Sequence, residues 1–191
     1  GSQLVGMGKE IAEAHPEARA VFDQADEVLG YSLSHLCFEG PEADLNDTAY
    51  TQPALYVCGI ATLRALQSVA PDAKPMMMAG HSLGELTALA AADAYSFIEG
   101  LHLVRIRGRV MREAGEKSPG AMAALLGLDA DAVREVCEQA AQQTGGVLVL
   151  ANDNCPGQTV ISGESAAIEK AIEIAKAAGA RRAMRLAVSI A

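Results

Sequence analysis

Met76-Met77-Met78-Ala79-Gly80-His81-Ser82-Leu83-Gly84-Glu85 decides how the chain is read. Four apolar residues bounded by a proline and a glycine predict a short buried strand over Met76–Ala79. Helical spacing resumes at Leu83 and runs to Ala91. Between them lies a G-x-S-x-G bend, and a strand–bend–helix setting is what an exposed nucleophilic serine requires. Small glycines permit the turn, the Ser82 hydroxyl stands at its tip, and the N-terminus of the following helix faces any negative charge that develops there. The backbone N–H of Leu83 is then a candidate for half of an oxyanion hole. The same residues have a plainer reading, because Ser82 and Glu85 also form an S-x-x-E capping box at an ordinary helix start.

Working outward, residues 1–116 read as helices around that one strand. Lys9–Ala14 and Pro16–Leu29 carry helical spacing, with Pro16 at a start and Gly30 at a stop. Ser32 caps a short helix through Phe38, and Pro41–Asn46 is turn-like. Thr51-Gln52-Pro53 opens a long helix to Ser68, and Ser96 caps a helix from Phe97 to Ala114. One strand cannot form the sheet these helices need, so either this part is all-helical or further strands lie outside the sequence, the second being the favoured expectation. Gly115–Gly120 is a linker, and residues 117–189 change pattern. Strands at Ala121–Gly127, Val147–Ala151 and Gln158–Ser162, helices at Ala130–Gln143 and Ser165–Ala178, and a last strand alternating Met184, Leu186 and Val188 give the order β-α-β-β-α-β. Asn152–Gly157 is read as the turn between the two middle strands.

Composition narrows the function. Apolar residues make up 50% of the chain, but 37 are alanine and only 4% of the chain is aromatic, which favours thin, closely packed helical cores over a β-sandwich. A formal charge of −9 argues against a general nucleic-acid binder, since phosphate backbones attract basic faces. Cys37, Cys58, Cys137 and Cys155 show neither CxxC pairing nor zinc-like spacing, which points to a reducing setting, cytoplasmic with mitochondrial as the alternative. The apolar run Leu86–Ile98 contains Asp93 and is too short to span a bilayer.

Arg107 is the second informative residue. At about 100° per residue, Arg105, Arg109 and Arg112 share a solvated stripe with His102, while Arg107 falls among Leu103, Val104, Val110 and Met111. A guanidinium on an apolar face needs an anionic partner, because it cannot shed its proton. That partner is either an internal acid or a substrate carboxylate held beside Ser82. None of His15, His35, His81 and His102 has the placement of a general base, although a serine nucleophile needs one within hydrogen-bond reach.

Together these features resemble the acyltransferase family of fatty-acid and polyketide synthesis, whose members include malonyl-CoA:acyl carrier protein transacylases. The matching motifs are Gly80-His81-Ser82-Leu83-Gly84-Glu85, Thr51-Gln52-Pro53-Ala54-Leu55, Arg107-Gly108, Gly120-Ala121-Met122-Ala123-Ala124 and Asn152–Gly163, with Gly1-Ser2-Gln3 similar to the end of a GQGSQ loop. The resemblance implies an α/β fold: an α/β-hydrolase-like large domain, incomplete here, over residues 1–116, and a ferredoxin-like βαββαβ subdomain over 117–189. At 190–191 the chain would begin its return to the large domain. It implies Ser82 as acyl acceptor, the Leu83 amide as oxyanion donor, Arg107 as the carboxylate anchor and Asn152 as a residue lining the cleft.

By the same resemblance the substrates are malonyl-CoA and acyl carrier protein, with no metal or redox cofactor, no nucleic acid, no membrane and a monomeric state. The family's catalytic histidine is expected just past Ala191, so the sequence is expected to be a truncated and inactive portion of its parent. Serine thioester hydrolysis and a non-catalytic carrier-binding role are the rival expectations.

Overall fold

Helix-start chemistry sets out the first half of the molecule. In a computed structural model that describes residues 2–186, Gly8 at φ 76 precedes α1 (Lys9–Ala14). Pro16, which has no N–H to leave unbonded, opens α2 (Pro16–Leu29), and Gly30 at φ 76 ends it. The Ser32 hydroxyl accepts from the His35 N–H to begin α3 (Leu33–Glu39). The stretch read as a turn holds a single helical turn, α4 (Glu42–Leu45).

The long helix α5 (Thr48–Val69) begins a turn earlier than the sequence suggests, because the Asp47 carboxylate accepts from the Ala49 N–H and caps it there. Pro53 therefore sits inside the helix rather than at its start. Next come α6 (Leu83–Ala91) and α7 (Phe97–Lys117). At the head of α7 Ser96 and Glu99 form a reciprocal capping box, the Ser96 N–H donating to the Glu99 carboxylate at 2.8 Å and the Glu99 N–H to the Ser96 hydroxyl at 3.2 Å.

The expected strand over Met76–Ala79 is not formed. These residues run without a ladder, Met76 and Met77 being 93% and 86% exposed. Four apolar residues supply strand propensity, but a strand exists only through its hydrogen-bonded neighbour, and among the described residues none pairs with this run.

The described residues fall into two compact units, one through Arg112 and the other from Glu113 onward. The first is helical and centres on α5. Phe22 and Phe38 meet edge to face at 4.9 Å, and Tyr56 stacks on Phe97 at 5.7 Å while its hydroxyl donates to the Phe97 carbonyl. Gly100 makes that approach possible: a Cβ there would lie 2.1 Å from the Tyr56 hydroxyl oxygen. Leu33, Leu45, Leu101 and Val104 fill the rest of the core, together with a row of alanines on α5.

The second unit is built from β1 (Ala121–Leu126), α8 (Ala130–Thr144), β2 (Leu148–Cys155), β3 (Gln158–Gly163), α9 (Ser165–Ala177) and β4 (Arg182–Arg185). Its sheet has the order β2-β3-β1-β4 with every pair antiparallel. Ala121, Ala123 and Leu125 alternate inward from β1 onto Val133, Val136, Ile168 and Ile172 of the two helices. The hairpin differs from expectation. The β2–β3 ladder continues past bulges at Ala151 and Asn154 to pair Cys155 with Gln158, so the turn is only Pro156-Gly157, with Gly157 at φ 77. Of the last expected strand, Met184 lies in β4, Leu186 just past it, and Val188 outside the described residues.

Candidate active site

Ser82 occupies the position before α6 with φ 53 and ψ −113, one of two non-glycine residues described with positive φ. Unbranched residues other than glycine rarely adopt such a backbone, and it persists only where the surrounding fold imposes it. Gly80 is the means: a Cβ there would lie 1.9 Å from the carbonyl carbon of Gly84 and 2.4 Å from the Glu85 nitrogen, so the chain entering the bend touches the first turn of α6. At Gly84 a Cβ would meet nothing within 4 Å. Only the first glycine of the G-x-S-x-G pattern is thus demanded by close approach.

The Ser82 side chain makes no capping bond to α6. The capping-box alternative therefore fails here, and the pattern is realised instead at Ser96 and Glu99. The Ser82 hydroxyl accepts from Nη2 of Arg107 at 3.2 Å. Leu83 is buried, and its N–H is the first of α6, with no intrahelical acceptor by position. Hydroxyl, first-turn N–H groups and cation thus share one end of one helix.

Arg107 is half-buried on α7, while Leu103, Ile106 and Val110 around it are exposed. Its Nη1 donates to Oε1 of Gln52 at 2.5 Å. Among the described residues no carboxylate pairs with this guanidinium, and its described partners, Gln52 and Ser82, are both neutral. Gln52 lies within the Thr51-Gln52-Pro53-Ala54-Leu55 motif, which by itself assigns it no role. Its signal was an amide in the apolar run Thr51-Gln52-Pro53-Ala54, where a polar side chain must find an internal partner.

Gln52 is 4% exposed, and its Nε2 donates to Thr48 Oγ1 at 3.0 Å and meets Met111 Sδ at 3.2 Å. Gly108, next to Arg107, lets α7 come this close to α5, since a Cβ there would lie 2.8 Å from the Thr48 carbonyl oxygen.

A cleft of about 950 Å³ is lined by Gln52, His81, Ser82, Leu83, Arg107 and Met111, among others. Ser82 and Arg107 also line an adjoining, largely apolar groove with Glu85, Leu86, Leu103, Ile106 and Val110. Asn152 lies in the second unit. It is half-buried within β2, opposite Val160, rather than in a turn. Among the described residues no group of three or more His, Cys, Asp or Glu side chains could hold a metal ion, and no helix is long and apolar enough to cross a membrane.

The chain resembles known proteins along its whole length. The chain is 48% identical over 191 residues to the malonyl CoA-acyl carrier protein transacylase of Bacillus subtilis, covering 99% of this chain and 59% of that protein. Among solved structures, the malonyl CoA-acyl carrier protein transacylase of Coxiella burnetii superposes with a TM-score of 0.94 at 42% identity, over 100% of this chain and 59% of that one. A type II PKS acyl-carrier protein in complex with its malonyl-transacylase gives 0.93 at 43% identity, over 100% and 60%. The chain therefore spans about 60% of the length of the relatives it matches. Residues 1–191 in full match the family described as the acyl transferase domain. With its serine bend and facing arginine in place, the chain belongs to the acyl transferase domain family.

Proposed function

We propose that the protein transfers a malonyl group from malonyl-CoA to the phosphopantetheine thiol of acyl carrier protein. The observation that carries this reading is the Arg107 guanidinium 3.2 Å from the Ser82 hydroxyl, with no described acid to neutralise it. In the first half-reaction the Ser82 oxygen attacks the thioester carbonyl carbon. The C–O bond forms, the C–S bond breaks, and the hydroxyl proton passes through a base to the departing thiolate, leaving free CoA and a malonyl-serine ester. The Leu83 N–H, at the positive end of α6, stabilises the oxyanion.

The carrier's thiol then attacks the ester carbonyl, the C–O bond breaks, and Ser82 recovers a proton. Arg107 holds the free carboxylate of the malonyl group in both halves through charge-assisted hydrogen bonds. The base is the histidine that the resemblance to the acyltransferase family implies. The step as written requires no metal or redox cofactor.

The finer architecture belongs to the same proposal. The antiparallel order β2-β3-β1-β4 with α8 and α9 supports a ferredoxin-like reading of the second unit. The serine bend ahead of α6 supports an α/β-hydrolase-like reading of the first. Asn152 is kept as a cleft residue on resemblance alone, and Cys37, Cys58, Cys137 and Cys155, all free thiols, suit a reducing, cytoplasmic setting. The complex of a related malonyl-transacylase with its acyl-carrier protein supports the choice of partner.

Intact-mass analysis of the full-length protein after incubation with malonyl-CoA tests the proposal. A malonyl adduct is expected in the wild type, absent from Ser82→Ala, and discharged by holo carrier protein. An adduct that survives Ser82→Ala overturns the assignment of the nucleophile. Release of free malonate at an undiminished rate without carrier would make the protein a hydrolase.

A further inference from the structure

Arg107 is held in place by groups that leave its charge intact. Gln52 Oε1 accepts from one nitrogen of the fork at 2.5 Å and Ser82 Oγ from another at 3.2 Å, and neither acceptor is ionised. The direction in which the Gln52 amide points follows from its other neighbours. The Met111 sulfur can only accept, so the NH2 group must face it and Thr48, and the carbonyl oxygen must face the guanidinium. Gln52 is also buried, so water cannot take over its part. Glutamate has the same shape, yet in this position it would form a short ion pair with Arg107 and satisfy the cation before any substrate arrived.

Resting on the malonyl-transfer reading, we propose that Gln52 determines acyl-group selectivity: its neutral amide orients Arg107 while keeping one positive charge available for a substrate carboxylate. A site whose cation lacks an internal counter-ion rewards an acyl group that carries an acid and leaves an acetyl group facing an unpaired charge. Once the counter-ion is built in, that preference disappears, and a neutral acyl chain becomes the better fit. Thr48 acts one step further back, as a positioning residue that fixes the amide.

The test uses full-length protein with holo carrier protein and compares kcat/KM for malonyl-CoA and acetyl-CoA. Gln52→Glu is expected to lower the malonyl-to-acetyl ratio by about 100-fold, with acetyl transfer retained. Gln52→Met, neutral and of similar length, is expected to keep the ratio within about threefold of wild type even if both rates fall. Met111→Glu places a carboxylate one helical turn from Arg107 on a half-buried side chain, and serves if Gln52→Glu does not fold; its ratio is expected to fall in the same direction.

If Gln52 only ties α5 to α7, both substrates lose together in each variant and the ratio stays put, which overturns the inference while leaving malonyl transfer standing. An equal loss of ratio in Gln52→Met and Gln52→Glu overturns it as well. A wild-type protein that takes up no malonyl group removes the underlying reading and this inference at once.

Discussion

The guanidinium of Arg107 reaches back 25 residues to donate to the hydroxyl of Ser82 at 3.2 Å, joining the middle of α7 to the head of α6. Both groups arrive with little freedom. Ser82 is fixed by its backbone and Arg107 by the amide of Gln52. A cation placed beside a hydroxyl stabilises negative charge, whether on a bound acyl group or on a developing oxyanion, and the two roles separate by experiment.

Arg107→Ala is expected to reduce malonyl transfer by about 100-fold more than acetyl transfer, since removing one partner of a charge pair leaves the other desolvated and alone. Arg107→Lys keeps the charge but loses the fork, and should recover only part of the malonyl activity. The ratio of kcat/KM values for the two thioesters reads the effect. Equal losses would make Arg107 a structural residue of α7.

The two glycines of the bend should behave differently. Gly80→Ala drives a methyl group into the first turn of α6 and is expected to lower stability by about 2 kcal/mol or more. Gly84→Ala meets open space within a helix and should be neutral or stabilising by up to ~1 kcal/mol. Urea unfolding of the two variants checks the contrast. A destabilised Gly84→Ala would show that the open space at that position is filled.

Alkaline conditions should weaken the first unit. Burial pushes the Cys37 thiol from its ordinary 9.0 up to about 12, and the Tyr31 phenol from 10.0 up to about 12. Each group binds its proton more tightly folded than unfolded, so its contribution is complete below pH 9 and is lost as pH rises toward 12. The urea midpoint is expected to fall between pH 9 and pH 11, and Cys37→Ala should show a shallower fall over that window. A flat profile would mean that neither group is shielded from water.

In the second unit, Ile168 is fully buried between α9 and the sheet. Ile168→Ala is expected to destabilise by about 2–5 kcal/mol. Asp129→Ala, which deletes the side-chain acceptor of the Ala132 N–H, is expected to cost about 1 kcal/mol. Thermal unfolding of both variants gives the ordering.

Most helices were legible because their ends carry local chemistry: Pro16 and Gly30, Ser32, Ser96 with Glu99, and Asp129 with Gly145 each act within a few residues of themselves. The placement of Arg107 was legible too, since its angular position on α7 separates it from Arg105, Arg109 and Arg112. What escaped depends on distant partners. Met76–Ala79 has strand composition and no ladder, and no local signal distinguishes a strand from an unpaired apolar run. Asn152 was assigned to a turn because asparagine and aspartate favour turns, yet bulges at Ala151 and Asn154 let the ladder absorb them. Gln52 meets Arg107 only because Gly108 admits α5, and nothing in the immediate sequence reveals that approach.

The left-handed backbone at Ser82 narrows the paths by which this position can change over generations. At φ 53 a side chain forked at its β-carbon collides with its own main chain, so threonine is shut out although it carries the same alcohol. Cysteine is unforked and fits the same bend. Under the role proposed for Ser82, exchanging its oxygen for sulfur respects the bend, whereas a methyl group added beside it does not.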